Sequence, residues 1–155
     1  MTEKSTSSRK GKSEGVLITE ATLGFVGYRL RRAQLSVFQT FLSAFESLGL
    51  RPAEYSVLVL IDENPGRKQT EIAATLDIKR ANFVVLIDGL EKRGLVERAS
   101  VATDKRANAL FLTAEGHEFL IKARTLHDEL EADLVSRLGG VEQRGQLFAL
   151  LERLT

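Results

Sequence analysis

The side chains best equipped for intermolecular chemistry fall in two groups: Lys79, Arg80 and Asn82, then Asp104, Lys105 and Arg106. Ammonium, guanidinium and carboxamide groups neutralise anions and donate hydrogen bonds, but this set makes and breaks no covalent bond by itself. Gln69 and Thr70 add two polar groups a short way upstream. The usual equipment for catalysis is missing. There is no cysteine, no recognisable motif that pairs a serine nucleophile with a general base and no glycine-rich phosphate loop, so no catalytic residue and no cofactor is expected. The two histidines, His117 and His127, stand ten residues apart on one helical pattern. At about 80° around that helix and on the order of 15 Å along it, they cannot share a metal within one chain. No metal site is expected, and both histidines read as surface or packing residues.

The elements that must hold these groups are legible from apolar spacing. From Thr22 to Leu48 the sequence predicts one long amphipathic helix, with Tyr28, Leu35, Phe38, Leu42 and Phe45 along one side and Gly49 as its stop. Arg51-Pro52 opens a second helix, about Ala53 to Asp62, which ends at Asn64-Pro65-Gly66. A short helix from Gln69 to Leu76, a turn at Asp77-Ile78 and a helix from Lys79 to Arg93 follow. In that last helix Phe83, Leu86, Ile87 and Leu90 fall at i, i+3, i+4 and i+7, which turns Lys79, Arg80, Asn82 and Val85 outward. Gly94 ends it, and Leu95 to Ala99 and Asn108 to Leu112 read as two antiparallel strands flanking a polar loop. Thr113 caps a helix running to about Leu138, Gly139-Gly140 breaks it, and a final helix carries Leu147, Leu150, Leu151 and Leu154. The fold class is therefore mainly α with a small β-wing. It is a winged helix-turn-helix, a shape that lays one helix in a DNA major groove with a loop beside it.

Charge supports that assignment. The formal net charge is only +1, yet residues 66–106 hold nine Lys or Arg against six Asp or Glu, while residues 107–155 hold five against eight. The positive charge thus lies on the segment that would meet a polyanion. Four parts follow: a disordered basic tail over 1–15, a dimerisation helix over 16–50, the winged helix-turn-helix over 51–112 and dimerisation helices over 113–155. The long first helix and the last two carry more apolar face than a small winged helix needs, which a second copy of the chain would cover. With no signal-like or membrane-length apolar run, the expected location is the cytoplasm, away from membranes.

The ordered fragments Gly49-Leu50-Arg51-Pro52-Ala53-Glu54-Tyr55, Thr70-Glu71-Ile72-Ala73 and Leu90-Glu91-Lys92-Arg93-Gly94-Leu95-Val96-Glu97-Arg98, then Asp104-Lys105-Arg106 and Leu112-Thr113-Ala114-Glu115-Gly116, resemble the MarR family of transcription regulators. They cover about half the chain. The resemblance implies an obligate homodimer, a pseudo-palindromic operator and, as a rule, repression relieved by a small molecule. It also implies an effector pocket between the dimer helices and the winged helix.

On this reading Arg80 donates to guanine, Asn82 pairs with an adenine edge or a phosphate, and Lys79, Gln69 and Thr70 contact the backbone. Arg106 enters the minor groove from the wing, oriented by Asp104, with Lys105 beside it. Many family members have arginine or another polar residue near Val85, whereas Val84 and Val85 are apolar here. They either touch thymine methyls or, for Val84, join the core. For the effector pocket the candidates are Tyr28, Arg29, Arg31, Arg32 and Tyr55, a set suited to an aromatic carboxylate or an acyl-CoA thioester. The alternative is a winged helix that binds proteins and not DNA.

Overall fold

The computed structural model describes residues 20–101 and 104–155, and the side chains of all of these except 20, 101 and 104–108. In chain order the elements are α1 (Glu20–Leu23), α2 (Val26–Ala44), a 3-10 turn (Glu46–Leu48), α3 (Pro52–Glu63), α4 (Gln69–Thr75) and α5 (Arg80–Lys92). Strands β1 (Val96–Val101) and β2 (Asp104–Leu112) and helices α6 (Ala114–Leu138) and α7 (Val141–Glu152) complete it. The described residues divide into two compact units, with the boundary after Leu35.

The single first helix predicted from Thr22 to Leu48 is interrupted at both ends. Gly24, a poor helix former, separates α1 from α2, and the guanidinium Nε of Arg29 donates to the Leu23 carbonyl at 2.6 Å. At the far end α2 stops at Ala44 and tightens into the 3-10 turn. Gly49 then takes a left-handed conformation with φ 54°, the conformation glycine adopts without a Cβ penalty. Proline at the first position of α3 gives up no intrahelical hydrogen bond, and the Glu54 carboxylate accepts from the Arg51 backbone N–H at 2.8 Å.

One hydrophobic core joins α3, α4, α5, the sheet and α6, with Phe45, Leu58, Ile61, Phe83, Ile87, Leu90, Leu110 and Leu120 almost completely buried. The helix-turn-helix corner is held by Ile78, whose N–H reaches the Ala73 carbonyl, and by Asp77 at a positive φ of 50°. A short acidic side chain tolerates that conformation better than most.

The sheet is an antiparallel pair in which Val96 faces Leu112 and Ser100 faces Asn108. A bulge then brings Val101 opposite Asp104. The strands therefore extend further than Leu95–Ala99 and Asn108–Leu112, and the backbone of Asp104, Lys105 and Arg106 belongs to β2 and not to a loop. Strand pairing uses backbone groups, so polar side chains do not end it. A third extended segment, invisible to the sequence pattern, joins the sheet edge: Gly66 donates to the Leu110 carbonyl and Leu110 to the Arg67 carbonyl, with a bridge between Lys68 and Ala109.

Candidate nucleic-acid interface

Helix α5 presents two opposed faces. Phe83, Ile87 and Leu90 are fully buried, whereas Lys79, Arg80, Ala81, Asn82 and Val85 are exposed. Val84 is half-buried, so the neighbouring valines have different environments. Arg80 also lines a shallow cleft of about 220 Å³ between α4 and α5, shared with Gln69 and Thr70 and floored by Ala73, Ile78 and Phe83. The structure thus gathers Gln69, Thr70 and Arg80 at one cleft and sets Lys79 and Asn82 on the adjoining surface. Asp104, Lys105 and Arg106 lie in the wing strand, and their side chains fall outside the described residues.

Arg98 on β1 determines how α5 sits, a role that apolar periodicity gives no sign of. Its guanidinium, only 19% exposed, pairs with Asp88 at 2.6 Å and with Glu91, both on α5, while its Nε donates to the Gln69 amide oxygen at 3.4 Å. One planar fork therefore ties together β1, α4 and α5, and neutralises two carboxylates on a helix whose other polar groups are cations and an amide. Gln69 accordingly has its amide oxygen occupied by protein. Arg98→Ala is expected to weaken binding to a duplex about tenfold, on the order of 1–2 kcal/mol after allowing for the exposure of the two carboxylates. Adding Asp88→Asn and Glu91→Gln should recover part of that loss in a gel-shift titration at fixed salt.

Arg93, just past α5, donates to the carbonyls of Leu48 and Gly49 at 2.9 and 3.2 Å and lies 5.1 Å above the Phe119 ring. It satisfies carbonyls left free where the 3-10 turn ends and links that turn to α5 and α6. Asp62 on α3 similarly takes Arg124 at 2.8 Å and His117 Nδ1 at 3.0 Å, both from α6.

The proposed effector residues fall in different settings. On α2, Tyr28 is half-buried and Arg29, Arg31 and Arg32 are exposed, with Arg29 engaged by Leu23 as above. Tyr55 is part of an aromatic cluster. It stacks on His127 with ring centroids 4.7 Å apart and stands edge-on to Phe45 at 5.6 Å, where Phe45 in turn stacks on Phe41 at 3.9 Å. Burial raises the Tyr55 phenol above its ordinary value of 10.0; Arg124 opposes this, and Asp128 and Glu63 add to it. The hydroxyl is therefore neutral at physiological pH, able both to donate and to accept a hydrogen bond. Among the described residues no group of three or more metal-ligating side chains occurs, and no helix is long and apolar enough to cross a membrane.

Comparison with known proteins matches residues 48–107 to the MarR family model. A putative transcriptional regulatory protein for the hcr operon of Thauera aromatica is 32% identical over 139 residues, 89% of this chain and 83% of its own length. The transcriptional repressor CouR, solved bound to a 23-mer DNA duplex, is 41% identical and superposes with a TM-score of 0.84 over 90% of this chain and 99% of its own. CouR solved bound to p-coumaroyl-CoA is 40% identical, with a TM-score of 0.81 over 90% and 97%. With a mainly helical fold around a two-stranded wing, an outward-facing cationic helix and relatives of this kind over nearly its whole length, the chain belongs to the MarR family of DNA-binding transcriptional regulators.

Proposed function

We propose that this protein is a homodimeric repressor that binds a pseudo-palindromic operator and is released by an aromatic acyl-CoA thioester. The observation that carries the reading is the exposed Lys79, Arg80 and Asn82 edge of α5, in a chain 41% identical to a repressor captured on a DNA duplex. Arg80 would donate to a guanine edge and Asn82 to adenine or phosphate, with Lys79, Thr70 and the Gln69 amide nitrogen on the backbone. Arg106, oriented by Asp104 and assisted by Lys105, would enter the minor groove.

Dimerisation is supported by uncovered apolar side chains on two elements of the chain. Phe25, Val26, Leu35 and Phe38 are exposed on and just before α2, as are Val141, Phe148, Leu150 and Leu154 on and beside α7. These would form the dimerisation helices, with residues 51–112 as the DNA-binding part. The ligand class follows from the relative solved with p-coumaroyl-CoA and from Tyr28, Arg29, Arg31, Arg32 and Tyr55. Arginines suit the anionic thioester carrier, and tyrosines suit the aromatic acyl group. The protein would act in the cytoplasm as a regulator without catalytic activity, cofactor or membrane attachment.

Selection of bound duplexes from a random pool should return an inverted repeat with half-sites about one helical turn, ~34–36 Å, apart. Binding to that duplex should fall steeply with salt, and p-coumaroyl-CoA should release it where free coenzyme A does not. Arg106→Ala should weaken binding by on the order of 1–3 kcal/mol while leaving the dimer intact in sedimentation. A monomer, or a protein with no salt-sensitive affinity for any duplex, contradicts the proposal and leaves protein binding as the function of the winged helix.

A further inference from the structure

Val85 is 72% exposed, more than any other large apolar side chain among the described residues. It stands on the helix that carries Lys79, Arg80 and Asn82. At ~100° per residue it points within about 15° of directly away from the middle of the buried ridge formed by Phe83, Ile87 and Leu90. Its neighbours one turn before and one turn after are Ala81 and Gly89. From Ala81 to Gly89 the central line of the outward face therefore carries no hydrogen-bonding side-chain atom; Lys92 follows only at the C-terminal end of α5, and Asp88 beside the line is taken up by Arg98. A surface valine contributes little to helix formation, so local stability does not account for it.

We infer that Val85 is a specificity-determining residue that reads the C5-methyl groups of thymines in the major groove, an inference that rests on α5 being the DNA-reading helix. The small Ala81 and Gly89 let the helix approach the base edges closely, and the two valine methyls are what then reach them. Of the groups that base pairs display in the major groove, the thymine methyl is the apolar one. The cationic edge around Lys79 and Arg80 argues for a polyanion over a protein partner. Asn82 lies three residues before Val85 on the same exposed side and is suited to adenine, so the middle of each half-site is A·T-rich.

The test uses the full-length protein and a duplex selected from a random pool, prepared once with thymine and once with uracil at the half-site centres. That exchange removes one methyl group per base and alters no hydrogen-bonding edge. Wild-type protein should bind the uracil duplex about fourfold more weakly for each methyl it had buried, the factor expected for one buried carbon. Val85→Ala, at an exposed helical site, should bind both duplexes alike within twofold, so the two changes are coupled and not additive. Equal wild-type affinity for the two duplexes overturns the inference. So does a Val85→Ala protein that still prefers thymine, because another group then reads the methyl. Failure to bind any duplex at all overturns the DNA reading itself and is distinguishable from both.

Discussion

Phe83→Ala is expected to destabilise the protein by about 3–5 kcal/mol, the usual range for truncating a buried aromatic ring. Phe83 is fully buried, forms part of the floor of the cleft between α4 and α5, and lies opposite the exposed side of α5 that carries Lys79, Arg80 and Asn82. With total stabilities of about 5–15 kcal/mol, such a loss removes a large part of what holds a domain folded. The functional consequence is specific. Alanine keeps every exposed residue of α5 but takes away the ring that seats it, so, on the proposed reading of α5, duplex affinity should fall even though no exposed side chain of that helix has changed. Phe83→Leu, which keeps most of the volume, should cost less than about 1.5 kcal/mol and retain binding. Urea unfolding at one fixed protein concentration, followed by gel shift on the same samples, measures both. An unchanged unfolding midpoint for the alanine variant would show that α5 is not anchored through this ring.

That ring also shows how much the sequence disclosed. Phe83, Leu86, Ile87 and Leu90 form a stripe at helical spacing, so the buried side of α5, and with it the outward positions of Lys79, Arg80, Asn82 and Val85, follow from periodicity alone. The Asn-Pro-Gly breaker, the Thr113 cap and the Gly139-Gly140 stop likewise mark boundaries that the structure keeps within one or two residues. What periodicity does not carry is anything set by side chains distant in sequence. Arg93 reaches back to Leu48 and Gly49, Arg124 to Asp62, and Arg98 to Gln69, pairings separated by 29 to 62 positions. Each arginine alone looks like a solvated charge, because the group that orders it lies in another element. The stacking of His127 on Tyr55 was hidden for the same reason. The break at Gly24 does not show in the apolar pattern, which continues across it; one glycine in a helical pattern is a weak signal until the chain turns there. In the wing, loop-like composition over Asp104 to Arg106 concealed a strand whose pairing is made by backbone.

Gly116→Ala is expected to be the most damaging single-methyl change among the described glycines. Gly116 lies in the first turn of α6, where the Thr113 hydroxyl accepts from its N–H at 2.9 Å and donates to the Gly94 carbonyl at 2.6 Å. The Leu95 carbonyl accepts from the Thr113 N–H at 3.2 Å and is packed directly against the Gly116 α-carbon. A methyl group there would be driven into that carbonyl, and the obstacle is backbone already fixed by its own hydrogen bond, so no side chain can move aside. The cost should reach or exceed ~3 kcal/mol, the upper end of ordinary overpacking. Alanine normally favours a helix, so the sign of the effect is diagnostic. Gly89→Ala, where the added atom meets open space in the interior of α5, should instead raise stability by about 0.5–1 kcal/mol in the absence of DNA. If the two variants unfold at similar urea concentrations, the close approach of Leu95 to α6 is not what holds the wing. If they separate as expected, the glycine that closes the Leu-Thr-Ala-Glu-Gly motif has a mechanical role: it lets the start of β1 lie flush on α6, which fixes where the wing emerges beside α5.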